Sequence, residues 1–72
     1  MTVEYWSIGN NETVIYTDSI DCLNMLKQDF RITGFYFSGS HVIGWHFTVP
    51  QRIMMLLLRR FKKAGIEASR LD

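Results

Sequence analysis

The sequence predicts an α+β domain of order ββαββα, a four-stranded antiparallel sheet with two helices on one face. Three observations lead there. Four segments rich in β-branched and aromatic residues (VEYWSI, TVIYT, GFYFS and VIGWHFT) read as strands. Two others, SIDCLNMLKQD and QRIMMLLLRRFKKA, repeat apolar residues at helical spacing. Short runs of Gly, Asn and Ser separate the strands in pairs, as hairpins require.

The first strand is predicted over Val3 to Ile8 and the second over Thr13 to Thr17, joined by Gly9-Asn10-Asn11-Glu12. Asp18 and Ser19 are both good N-caps, and Asp21 adds negative charge where the helix dipole favours it. The first helix is therefore expected over Ser19 to Asp29, with Ile20, Leu23, Leu26 and Phe30 at core spacing. Gly34 to Ser38 and Val42 to Thr48 form the second predicted hairpin. Alternation puts Ile43, Trp45 and Phe47 on one face of the fourth strand, and Val42, Gly44 and His46 on the other. The second helix is expected to open at Thr48-Val49-Pro50-Gln51, with Thr48 and Gln51 as a capping box or Val49 as the cap. Gly65 is its natural stop. Ile66 to Asp72 is expected as a short tail of a single domain spanning 1–72.

On a helical wheel, Ile53, Leu57, Phe61 and Ala64 form a core stripe bordered by Met54 and Leu58. Arg52, Arg59 and Lys63 fall opposite, flanked by Met55, Leu56 and Lys62, and Arg60 sits nearer the core edge. A solvated face, with bases where the C-terminal dipole wants them, accounts for RRFKK in structural terms. A contact surface accounts for it equally, because Met and Arg are enriched at interfaces.

A chain of 72 residues buries a modest core and is marginally stable alone. The single cysteine, Cys22, excludes an internal disulfide and a CxxC zinc site, which leaves oligomerisation as the expected aid. A lone thiol and an acidic N-terminus without a long apolar run point to the cytoplasm. The apolar run Ile53 to Leu58 is too short to span a bilayer, and no membrane association is expected. Charge is two-ended. Residues 1–50 carry two bases against five acids, and residues 51–72 carry six bases against two acids.

Chemistry is sparse. His41 and His46 lie five apart on a strand and point to opposite faces, so no metal is expected. Cys22 among apolar neighbours reads as a small core residue; a nucleophile paired with either histidine is the competing idea. There is no phosphate loop, HExxH or GxSxG, so no catalytic residue, enzyme activity or cofactor is expected. Alternation places large side chains on both sheet faces, which makes Tyr5, Tyr16, Tyr36 and Trp45 candidate contacts on an open face.

The ETVIYTDS segment, the central GFYF strand and the run GWHFTVPQRI into a terminal helix resemble short uncharacterised accessory proteins of bacterial phages and plasmids. That resemblance implies an accessory or regulatory role rather than metabolism, and carries over no site residue. The expected function is binding: a homodimer, formed through the open sheet face or the second helix, that meets an acidic protein partner. Arg52, Met55, Leu56, Arg59, Lys62 and Lys63 are the candidate partner-binding residues. The alternative is an accessory nucleic-acid-binding protein using the same basic helix face.

Overall fold

The computed structural model describes residues 2–72 and shows an α+β fold with two helices and a five-stranded mixed sheet. The strands are β1 (Val3–Gly9), β2 (Glu12–Thr17), β3 (Ile32–Ser38), β4 (His41–Pro50) and β5 (Ser69–Arg70). The helices are α1 (Ile20–Leu26) and α2 (Met54–Lys63), the latter preceded by a 3₁₀ turn at Gln51–Ile53. The sheet order is β3-β4-β2-β1-β5. Its first three pairings are antiparallel and β1 with β5 is parallel.

The β1–β2 hairpin turns at Asn10 and Asn11, both at positive φ (54° and 58°). That is the sign pattern of a type I′ turn, whose twist matches the flanking strands. β2 and β4 then pair from Glu12↔Pro50 to Thr17↔Trp45, making β2 and β4 neighbours although α1 and β3 separate them in the chain. Ile15, Phe47 and Val49 are fully buried beneath the helices, with Cys22 and Leu26 of α1 and Leu57 and Phe61 of α2 against them.

Four details differ from the sequence expectation. First, segment 66–72 is not a tail: Ser69 and Arg70 pair with Glu4 and Tyr5, and the Leu71 amide donates to the Tyr5 carbonyl at 2.9 Å. The sheet is therefore five-stranded and mixed rather than four-stranded and antiparallel. Second, α1 stops at Leu26, where the amides of Asp29 and Phe30 donate back to its carbonyl and Phe30 returns to the core. Ile20 lies about 110° around the helix from the centre of the buried arc and is exposed. Third, neither Thr48 nor Val49 caps α2. Both are strand residues paired with Val14 and Thr13, and Pro50 ends β4 in extended conformation (ψ 135°). Fourth, the core stripe of α2 is Met54, Leu57 and Phe61, with Ala64 exposed. Ile53, in the 3₁₀ turn, and Leu58 pack half-buried against the same cluster.

The polar groups buried beside α1 are satisfied. Thr17 Oγ1 accepts from the Ser19 amide and donates to the Thr2 carbonyl, both at 2.9 Å. Ser19 Oγ caps α1 by accepting from the Cys22 amide at 3.3 Å. At the other end of the chain, Asp72 accepts from the Ser7 amide and from Arg70, each at 2.8 Å. The Ser7 amide, then Arg70, hold the Asp72 carboxyl below the usual carboxylate range. A depressed carboxylate stabilises the fold above its unfolded-state value, and that contribution is lost as pH falls through the folded one. Protection factors for amide exchange at Ser7 and Leu71, corrected for the intrinsic rate at each pH, should therefore fall on acidification before those of the core amides. A uniform loss of protection across β1, β2 and β4 would show that Asp72 does not control β5.

Candidate functional site

The helices cover one side of the sheet, so the molecule has two surfaces to consider: the outer face of α2 and the open face of the sheet. α2 places Met54, Leu57 and Phe61 inward. Leu56, Arg59 and Lys63 lie on the side away from this arc, with Met55 and Lys62 beside them. Met55 and Leu56 are 65% and 59% exposed, and Arg52, Arg59, Lys62 and Lys63 are exposed around them. α2 carries no acidic residue. Its one cation with a partner is Arg60, whose Nη1 lies 3.3 Å from Asp29 Oδ2 after α1. That pair is half-exposed on both sides and contributes little stability. It does withdraw Arg60 from the free bases of this face. All six candidate partner-binding residues are exposed, five of them on α2 and Arg52 in the 3₁₀ turn before it. A cleft of about 170 Å³ separates α2 from β1, lined by Tyr5, Thr13, Met54, Met55, Leu58 and Arg70.

The open face is a packed aromatic mosaic. Tyr36 Oη and His46 Nδ1 share a hydrogen bond of 3.0 Å, and the Tyr16 and Tyr36 rings meet edge to face at 5.0 Å between centroids. Two glycines make room for it. A Cβ on Gly44 would lie 2.7 Å from the Tyr16 ring, and a Cβ on Gly34 would fall within the His46 imidazole. The rings therefore lie over bare backbone on the neighbouring strand, an arrangement only glycine permits there. Trp6, Tyr16, Tyr36, Ile43, Glu4 and Leu71 line a shallow depression on this face. Burial, followed by the charges of Asp18, Tyr36 and Glu4, raises the Tyr16 phenol above its ordinary value, so it stays protonated.

Of the four candidate sheet contacts, Tyr16 and Tyr36 lie on this face. Tyr5 and Trp45 do not: both pack against the core on the helix side. Alternation fixes which residues share a face but not which face is covered. Ile43 also changes side from the expected one. A bulge between the pairs Tyr36↔Gly44 and Phe37↔Val42 leaves Ile43 unpaired and turns it toward Tyr16 and Tyr36. Trp6 and His46 belong to the open face and were not singled out as sheet contacts. The signal for His46 was Gly34, bare beneath its ring across the strand; Trp6 had no such signal.

Cys22 is fully buried, and burial pushes its thiol up, with the neighbouring Thr17 side chain acting against that shift. A raised value disfavours the thiolate that nucleophilic chemistry requires. Among the described residues no three His, Cys, Asp or Glu side chains cluster to hold a metal ion, and no helix is long and apolar enough to cross a membrane. No protein-family model matches the chain, and neither curated proteins nor solved structures gave a significant match.

Proposed function

We propose that this is a non-catalytic binding protein that acts as a homodimer and engages an acidic protein partner through the outer face of α2. The observation that carries the partner half is the exposure of Met55 and Leu56 between four unpaired-side bases, Arg52, Arg59, Lys62 and Lys63, on a helix without acids. Apolar side chains at the centre of a charged ring supply contact area, and the ring steers an oppositely charged partner. Nucleic-acid binding by the same bases is the second reading. It loses ground to the disposition of the aromatics. Tyr16, Tyr36, Trp6 and His46 lie on the open side of the sheet, away from the basic helix, so stacking and phosphate neutralisation do not converge on one strand.

The test is affinity capture with the chain and its Arg59→Glu/Lys63→Glu variant side by side. Both positions are exposed, so the variant should keep the parent's circular-dichroism spectrum. Like-charge contact costs several kcal/mol, so an acidic partner held by the parent should bind the variant roughly 100-fold more weakly. Equal retention by both would remove α2 from the function. Retention of nuclease-sensitive material that falls steeply with salt would favour the phosphate reading instead.

A further inference from the structure

The two edges of the sheet are managed differently. β5 closes one edge with only two residues, and Arg70 and Asp72 form an ion pair of 2.8 Å there. Short, charged edges resist pairing with another chain. β3 closes the other edge with seven residues, ITGFYFS, that include no charge and no proline. No Asp, Glu, Lys or Arg occurs anywhere from Ile32 to Gln51. The bulge at Thr33 disturbs one end of β3 and leaves Gly34 to Ser38 as the stretch able to pair.

Side chains on this edge are large and uncovered. Phe35, Tyr36 and Phe37 are 53%, 38% and 62% exposed, and the two phenylalanine rings lie together at 6.3 Å between centroids. Phe35 is opposite Trp45, on the helix side of the sheet, but outside the cover of the core cluster. Tyr36 points to the open side with His46.

We propose that β3 pairs antiparallel with β3 of a second copy of this chain, about a twofold axis at Tyr36, giving one continuous ten-stranded sheet. This rests on the homodimer half of the function proposed above and is independent of what α2 binds. An identical strand is the occupant that fits. Antiparallel self-pairing is the isologous contact a twofold dimer requires. A charged strand would place like charges across the axis, and this one has none. Centring on Tyr36 sets Phe35 opposite Phe37 of the copy, and Phe37 opposite its Phe35. Four phenylalanines then cluster on the helix side, and two tyrosines meet on the open side. The three aromatics expose about 300 Å² per protomer, taking roughly 200 Å² for a whole aromatic side chain. With the strand backbone this stays below the roughly 800 Å² per partner of a tight complex. The dimer is accordingly reversible and concentration-dependent.

Charge exchange across the axis tests the surface. One preparation carries Phe35→Lys with Phe37→Lys, and the other Phe35→Glu with Phe37→Glu. Light scattering on a sizing column should give the parent chain twice 8.5 kDa at high concentration. Each substituted preparation should run at the single-chain mass, and their mixture should recover the doubled mass. Recovery on mixing excludes misfolding as the cause of dissociation. A parent chain that stays monomeric at millimolar concentration would overturn the inference and the homodimer together, leaving the α2 face standing. Substituted chains that stay dimeric would overturn β3 while keeping the homodimer. Failure of the mixture to associate would overturn the pairing of β3 with its copy, and with it the inference.

Discussion

Replacing Phe47 with Ala should remove a large share of the chain's stability. Phe47 is fully buried on β4, opposite Ile15 on one side and Ile32 on the other, so it touches the centre of the sheet. A buried Phe→Ala change costs about 3–5 kcal/mol, the transfer free energy plus the cavity left behind. A domain of this size has only about 4–11 kcal/mol in total, at roughly 0.05–0.15 kcal/mol per residue. Phe37→Ala, on the same hairpin but 62% exposed, should shift stability by no more than about 0.5 kcal/mol in a dilute, monomeric sample. Denaturant titration of the two variants beside the parent decides the matter. A Phe47→Ala chain within about 1 kcal/mol of the parent would place the core elsewhere.

Gly34→Ala and Gly44→Ala should each destabilise the fold by about 1–3 kcal/mol, the usual range for overpacking. The sign is not trivial. A strand glycine weakens its strand by roughly 0.5–1 kcal/mol relative to Ala, so the substitutions would help if the space were free. It is not free: the methyl group of the new residue at 34 meets the His46 imidazole, and at 44 the Tyr16 ring at 2.7 Å. Each ring must swing into solvent. At Gly34 the swing also breaks the 3.0 Å bond between His46 and Tyr36, visible as a change in the imidazole NMR signals. Tyr16, Tyr36 and His46 touch in series, so displacement at one end loosens the other. The double variant should therefore lose less than the sum of the singles, by at least about 0.5 kcal/mol. Strict additivity in a denaturation cycle would mean that the mosaic is two independent contacts.

Much of this architecture was legible in the chain, because local signals settle local structure. β-branched and aromatic runs located β1 to β4, Ser19 announced the start of α1, and the apolar spacing located α2. Five of the six residues assigned to the α2 face could be grouped because a helix fixes their angles; Arg52 lies in the 3₁₀ turn before it. What stayed hidden depends on partners distant in the chain. β5 has two residues and no periodicity of its own; it exists because Glu4 and Tyr5 lie alongside it. Tyr5 and Trp45 were assigned to the wrong side because period-two alternation has no absolute sign until the helices dock. The bulge at Ile43 then breaks the alternation itself. Pro50 marked a boundary, but the pairing of Thr48 and Val49 with β2 placed that boundary after them, not before.

The parallel pairing of β5 with β1 has a consequence for the order in which the protein is made. The Ser7 amide and its Asp72 acceptor are separated by 65 positions. β1 and β2 emerge from the ribosome first and can close their hairpin at once, yet the outer side of β1 finds its partner only when residues 69–72 have been synthesised. Until then seven-residue β1, and not two-residue β5, stands at that edge of the sheet. Synthesis leaves the earliest strand waiting for the latest, and any factor that shields nascent chains would act on β1 during that interval.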